Sequence, residues 1–272
     1  MNINGNLVSL DEPQVMGILN VTPDSFYAES RVNQETAILK RAEKMIEEGA
    51  FILDIGGYST RPGAEDISTE EETRRVVQAI ALIRSKFPET LISIDTFRSA
   101  VAKAAVESGA NIINDVSGGT IDNQMFKLVA ESKVPYILMH MRGTPQTMKN
   151  LNQYDNLLID IGKELADKCQ QLKSLGVADI IIDPGFGFAK SIAQNYELLR
   201  NLGYFKRLGF PILAGLSRKS MIYKTLNTEA EYALNGTTAL NMVALQQGAS
   251  ILRVHDVKEA RETITLFKAL NS

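Results

Sequence analysis

The feature that most constrains the fold is a set of eight short apolar runs separated by longer amphipathic stretches. The runs are VMGILNV (15–21), FILDIGG (51–57), LISIDT (91–96), NIINDVS (111–117), YILMHM (136–141), DIIIDPG (179–185), PILAGLS (211–217) and SILRVHD (250–256). Each is too short for a buried helix, and its near-continuous Val, Ile and Leu content suits a parallel strand covered on both faces. The segments between them read as helices at 35–48, 69–85, 97–108, 122–132, 155–175, 193–208, 233–247 and 256–269. The first ends before Gly49, a suitable residue just past a helix C-terminus. The second opens with Thr69 and Glu72 at the spacing of a capping box. Eight strand–helix pairs exceed the five or six strands usual for an open doubly wound sheet, so the expected fold is α/β, a closed (β/α)8 TIM barrel. The 272 residues lie near the ~250 typical of that fold. With no linker or composition shift inside the chain, residues 1–272 are expected to form one domain, with 1–13 as a cover over the barrel floor.

Charge and cysteine content narrow the chemistry. A net charge of −3 excludes the broad basic surface of a nonspecific nucleic-acid binder, so any phosphate site must be local. The one cysteine, Cys169, permits no intrachain disulfide, lies in a helix-like stretch without a His or acidic partner at a motif spacing, and reads as an inert thiol. The N-terminal stretch MNINGNLVSLDEP lacks the basic and apolar regions of a signal peptide, and no apolar run approaches the ~20 residues of a membrane span. A cytoplasmic protein is expected, with no membrane and no nucleic-acid partner.

Polar residues fall at a recurrent place. Asn20, Asp54, Asp95, Asn114, His140, Asp183, Ser217 to Lys219, and Arg253 with His255 stand at or just past the C-terminal ends of the runs. A single strand-end Asp or Asn is ordinarily a turn former or helix cap. Eight at one end of a barrel converge on the mouth where barrel enzymes place their catalytic groups. The stretches NVTPDSFYAESRVNQ and GGYSTRPGAEDIS after the first two runs exceed the 2–6 residues of ordinary strand-to-helix connections, and read as functional loops.

The local strings NVTPDSF, DIGGYSTRPGAE, SIDTFR, INDVSGG, LMHMRGTPQTM, DPGFGFAK, GLSRKS and RVHDV occur in order, one per strand end. Together, over about residues 14–268, they resemble the dihydropteroate synthase family. The resemblance implies a (β/α)8 barrel, usually a homodimer, that condenses 6-hydroxymethyl-7,8-dihydropterin pyrophosphate with p-aminobenzoate and releases pyrophosphate with the help of Mg²⁺. Many relatives have Glu where Tyr58 stands; since Thr60, Arg61 and Pro62 are retained, altered packing of the second loop is expected rather than lost activity.

By the same resemblance, Asp183 accepts two parallel hydrogen bonds from the 2-amino-4-oxo edge of the pterin, the charge-assisted kind that binds strongly; with Pro-Gly directly after it, a metal ligand or a turn residue is the rival reading. Asn114 supplies an amide with both a donor and an acceptor, Asp95 meets the reduced-ring N–H side, and Lys219 faces O4 and N5. Phe188 and Met139 line the ring faces or belong to the barrel core. Arg253 and His255, two apart, point to the same side of the eighth strand, where Arg253 grips phosphate oxygens and stacks over the pterin and His255 donates a hydrogen bond to the leaving pyrophosphate. Arg253 has the alternative of a rim salt bridge. Asn20 resembles the residue that binds Mg²⁺–pyrophosphate, and Mg²⁺ keeps several waters, so no protein cage is expected. Phe26, Thr60, Arg61 and Pro62 close around p-aminobenzoate, Arg61 also reaching the pyrophosphate, and Ser220 at a helix N-terminus meets its carboxylate. Asp95, Lys219, Arg253 and His255 are thus the catalytic candidates, and sulfonamides should compete with p-aminobenzoate. Three rivals remain at this stage: a methyltetrahydrofolate-binding methyltransferase domain with a corrinoid partner, a catalytically silent pterin binder, and a Schiff-base aldolase built on Lys219.

Overall fold

A computed structural model describes residues 1–3, 5–22, 31–59, 66–144 and 146–271. Its centre is an eight-stranded parallel sheet: β1 (Gln14–Asn20), β2 (Ile52–Gly56), β3 (Leu91–Asp95), β4 (Ile112–Asp115), β5 (Tyr136–Met139), β6 (Ile180–Asp183), β7 (Leu213–Ala214) and β8 (Ile251–Val254). Neighbours follow the order β6-β5-β4-β3-β2-β1-β8-β7. The sheet closes on itself where Ile182 of β6 bridges Ile212, just ahead of β7. Here Ile182 N–H donates to the carbonyl of Pro211 at 2.9 Å. Pro211 has no N–H to return, and β7 contributes only two residues to the ladder.

Helices cover the outside: α1 (Arg31–Glu47), α2 (Thr69–Lys86), α3 (Ser99–Glu107), α4 (Met125–Ser132), α5 (Leu157–Ser174), α6 (Ile192–Arg200), α7 (Ser220–Thr225), α8 (Leu234–Gln246) and α9 (Val257–Leu270). The long helices pack on the barrel through apolar stripes at helical spacing, as α5 illustrates. In α5, capped by Asn156 accepting from Ile159 N–H, the buried stripe is Leu157, Ile161, Leu165, Cys169 and Leu172. Truncating Leu165 to Ala would cost about 2–5 kcal/mol through the cavity left behind. Cys169 belongs to this stripe, and burial pushes its thiol up to about 11, as an inert core residue requires.

Inside the barrel the strand period of two sorts the side chains into layers. The lowest layer is apolar: Met16, Ile52, Ile112, Ile137, Ile181, Leu213 and Ile251, closed below by Ile3, Met1, Val8 and Leu10 of the N-terminal segment. That segment forms a short antiparallel hairpin, Asn2–Ile3 with Asn6–Leu7. Two residues further along the same strands stand Ile18, Asp54, Asn114, Met139, Asp183, Gly215 and Arg253. The barrel therefore changes from a dry floor to a polar mouth within one strand period, about 7 Å.

Three local expectations differ from the structure. The cap of α2 is Ser68, whose side chain accepts from Glu71 N–H, so Thr69 is already the first helical residue. Glu72 is not a cap partner: it is fully buried and accepts from Thr96 Oγ1 at 2.7 Å and Arg98 Nη1 at 2.9 Å. The helix expected over 193–208 stops at Arg200, where Asn201 turns its side-chain amide back to the Glu197 carbonyl, and continues as a 3₁₀ segment, Leu202–Leu208. Finally, the connection from β7 to β8 holds two helices, α7 and α8, rather than one.

Candidate active site

The polar layer is organised around Asp54 and Arg253. Asp54, on β2, is fully buried; its Oδ2 accepts from Arg253 Nε at 2.6 Å and from Asn114 Nδ2 at 3.0 Å. Arg253 Nη2 donates in turn to Asp95 Oδ2 at the end of β3. Burial alone would lower the Arg253 guanidinium, but the flanking Asp54 and Asp95 outweigh it and raise its pKa, so the charge is permanent. Burial, together with repulsion from Asp54, Glu72 and Asp115, pushes the Asp95 carboxyl above the usual range against the pull of Arg253. The rim salt bridge is thus present, and Nη1 is the guanidinium nitrogen without a protein partner among the described residues. Asn114 is oriented by the same carboxylate: with Nδ2 donating to Asp54, its Oδ1 is the acceptor left for a ligand.

A second group sits across the mouth. Asp183 ends β6, and its Oδ1 accepts from Gly185 N–H at 2.7 Å, leaving Oδ2 without a hydrogen bond to the described residues. Burial raises the Asp183 carboxyl, tempered by the Lys219 charge and by the Gly185 N–H. Lys219 donates from Nζ to the Phe186 carbonyl and stands 4.8 Å from the centroid of the Phe188 ring. Burial lowers its amine to about 8, with Asp183 opposing. A Cβ on Gly215 would sit 3.8 Å from Lys219 Nζ and 3.9 Å from Asp183 Oδ2, so the absence of a side chain there keeps the space between these two groups open. Gly56 does the same beside Asn20 Oδ1 and Asp95, at 3.3 and 3.7 Å.

His255 follows β8, and its Nδ1 lies 3.0 Å from Ser217 Oγ, which also accepts from the His255 backbone N–H at 3.1 Å. Next to Ser217, Arg218 adopts a left-handed backbone (φ 54°) and grips Asp256 through Nε and Nη2, each at 2.8 Å. The Ser217–Lys219 turn is thereby fastened to the end of β8, and Ser220 opens α7 directly behind it. Met139 is nearly fully buried and packs with Tyr58, Phe97, Val116 and Phe188 in a small apolar cluster at the mouth. Tyr58 meets the Phe97 ring edge-on at 5.1 Å, under the Arg98 guanidinium at 5.2 Å.

The structure therefore brings Asn20, Asp95, Asn114, Met139, Asp183, Phe188, Lys219, Arg253 and His255 to one mouth, with Ser220 at its edge. Phe26, Thr60, Arg61 and Pro62 lie outside the described residues. Two groups received no role from the sequence. Asp54 was visible as a strand-end carboxylate, but its function depends on partners 60 and 199 positions away. Lys190 lies inside the DPGFGFAK string, and only the fold shows it beside His140, 50 positions earlier.

Comparison with known proteins agrees with this geometry. Residues 16–255 match the model of the family described as pterin binding enzyme. Dihydropteroate synthase of Escherichia coli K12 is 40% identical over 267 residues, covering 97% of this chain and 94% of the relative. Among solved structures, the Yersinia pestis dihydropteroate synthase in a sulfonamide drug complex superimposes with a TM-score of 0.92 at 38% identity, covering 100% of this chain and 98% of that one. The Xanthomonas albilineans dihydropteroate synthase with 4-aminobenzoic acid gives 0.91 at 39% identity, covering 100% and 97%. An eight-stranded barrel with this polar mouth, matched along nearly its whole length, places the chain in the pterin-binding enzyme family, among the dihydropteroate synthases.

Proposed function

We propose that the chain joins 6-hydroxymethyl-7,8-dihydropterin pyrophosphate to p-aminobenzoate, and that the residues at the mouth divide the work into three sub-sites. The observation that carries this reading is the facing pair of recognition groups: Asp183 Oδ2 and Lys219 on one side, the Asn114–Asp54–Arg253–Asp95 network on the other. A pterin edge offers two adjacent N–H donors to Asp183 and an oxygen acceptor to Lys219. Asn114 Oδ1, fixed by Asp54, and Asp95 meet the remaining N–H groups. An analogue without those N–H groups would leave buried acceptors unpaired, which gives strong discrimination. Phe188 and Met139 supply the apolar faces.

The pyrophosphate lies toward Arg253, His255 and Asn20. Among the described residues no cluster of three or more His, Cys, Asp or Glu could cage a metal ion. The Asn20 side-chain carbonyl would help hold a Mg²⁺ bound with the diphosphate, and a single neutral oxygen donor suits an ion that takes few protein ligands. When bound, Mg²⁺ neutralises charge on the leaving group. The C9–O bond breaks with its electron pair passing to the pyrophosphate oxygen, and Arg253 and His255 stabilise the developing charge, often the largest catalytic contribution. Asp95 favours the positive charge left on the ring. The neutral arylamine nitrogen then forms the C9–N bond and releases its proton to the pyrophosphate or to water.

For p-aminobenzoate, family resemblance assigns contacts to Phe26, Thr60, Arg61 and Pro62, with Arg61 shared with the pyrophosphate, and the carboxylate is assigned to Ser220 at the start of α7. The family resemblance extends the proposal to a homodimer, measurable by light scattering. No described helix is long and apolar enough to cross a membrane; the proposal places the enzyme in the cytoplasm. The deciding experiment is incubation of the folded protein with both substrates and Mg²⁺, following dihydropteroate and pyrophosphate. Formation of neither would overturn the proposal, and binding without turnover would identify a silent relative. Sulfonamides should inhibit in competition with p-aminobenzoate.

A further inference from the structure

We propose that Lys190 is a positioning residue for pterin recognition, holding segment 183–188 so that Asp183 and Phe188 face the ligand; this rests on the reading of those two residues as pterin contacts. An ammonium has three N–H donors and no acceptor. Lys190 Nζ places them on His140 Nδ1 at 3.1 Å, the Gly185 carbonyl at 2.9 Å and the Phe188 carbonyl at 3.0 Å. Burial lowers this amine to about 7, with Asp183 opposing; in the ammonium form all three protons are used on protein, so Lys190 touches the ligand only through what it holds. Two of its acceptors lie within the recognition segment, and the third is a side chain from the end of the neighbouring strand β5.

His140 completes the clamp. Because Nδ1 accepts from Lys190, the neutral ring carries its proton on Nε2, which faces Glu164 Oε2 at 3.1 Å. Glu164, on α5, is anchored in turn by Arg142 Nε at 3.0 Å. The backbone of His140 grips the same segment: its N–H donates to the Asp183 carbonyl at 2.8 Å. Its carbonyl oxygen lies 2.0 Å from where a Cβ on Gly185 would stand, so only glycine, here at φ +76°, lets the segment come this close. Gly185 N–H is also the group that fixes Asp183 Oδ1. Displacing the Gly185 carbonyl from Lys190 therefore turns the Asp183 carboxylate. The Phe188 carbonyl shares the same ammonium, so the ring that faces Lys219 moves with it.

The test compares Lys190→Met, His140→Leu, His140→Asn and Asp183→Asn with the wild type. Pterin affinity is read by fluorescence titration with 6-hydroxymethylpterin, and KM is measured for each substrate with the other saturating. Lys190→Met should raise the pterin Kd and KM about 10-fold or more while the p-aminobenzoate KM stays within about twofold. His140→Leu should weaken pterin binding several-fold, and His140→Asn, which keeps a polar acceptor where Nδ1 lies, should recover most of it. Equal rises in both KM values, or wild-type pterin binding in Lys190→Met alongside its loss in Asp183→Asn, would overturn the positioning role and leave the pterin site standing. Wild-type binding in Asp183→Asn would instead remove the site reading itself. Should Lys190→Met fail to fold, the His140 pair decides: a wild-type Kd in His140→Leu overturns the proposal.

Discussion

Arg253 on β8 reaches over β1 to set its Nε 2.6 Å from Asp54 Oδ2 on β2, and the same oxygen holds the Asn114 amide from β4. One buried carboxylate thus orients two groups, the Asn114 amide and the Nε side of Arg253, whose Nη2 is held by Asp95. Replacing Asp54 by Asn keeps the shape but removes the charge that fixes both, and leaves Arg253 with Asp95 alone. We expect kcat/KM for the pterin substrate to fall by about 100-fold, with a lower Tm from the weakened buried ion pair. Steady-state kinetics alongside thermal unfolding checks this; a change within threefold would show that Asp54 orients neither partner.

Arg253 itself uses geometry as much as charge. Its Nε and Nη2 take two different carboxylates at once, a fork that a lysine ammonium does not reproduce. In Arg253→Lys the positive charge survives and the directions do not. The expected result is a fall of about 100-fold in kcat/KM with folding retained, read from kinetics and circular dichroism. Unchanged kinetics would mean that the site needs only a point charge.

The barrel, its strand count and the mouth were legible in the sequence because each depends on local pattern. Apolar runs of strand length mark β1 to β8, and the strand period carries polar residues from the ends of those runs to one rim. What the pattern concealed were relationships across the barrel. Asp54 looked like any strand-end carboxylate until the register set it under Asn114 and Arg253. Glu72 had the spacing of a cap partner, yet a serine one position before Thr69 was the better cap, which released Glu72 to meet Thr96 and Arg98. Tyr58, where many relatives have Glu, reads as an altered packing position, and the structure shows what it packs on: the Phe97 edge and the Arg98 guanidinium that Glu72 holds.

On the proposed reading, His255 acts on the leaving group rather than on the ring. Its Nδ1 is engaged with Ser217 Oγ, an arrangement that directs the other side of the imidazole away from the Ser217 turn. In His255→Gln the pterin contacts of Asp183, Asn114 and Lys219 are untouched. We therefore expect kcat to fall by about 10²-fold or more while the affinity for 6-hydroxymethylpterin stays constant. Full turnover in this variant would remove His255 from the leaving-group role.

His140 should also leave a mark on stability against pH. Burial, ahead of the opposing Glu164 and with help from the Lys190 and Lys168 charges, lowers its imidazole from 6.5 to about 4. In the unfolded chain the ring binds a proton near pH 6.5, and in the folded protein only near pH 4. Between these values the unfolded state holds more protons, so acidification favours unfolding. The stabilising contribution is complete above pH 6.5 and is lost as the pH falls to 4, at most about 3 kcal/mol across that window. Asp95, raised from 3.8 to about 7, works in the opposite direction across the whole of that window, so the wild-type curve alone does not isolate the effect. The difference between wild type and His140→Asn does, because Asp95 is common to both. Unfolding free energies from urea titrations should show the advantage of the wild type shrinking steadily from pH 6.5 to 4 and constant above it. A difference that does not change with pH would mean that His140 titrates alike in the folded and unfolded chain, and that the Lys190–His140–Glu164 line does not hold the ring neutral.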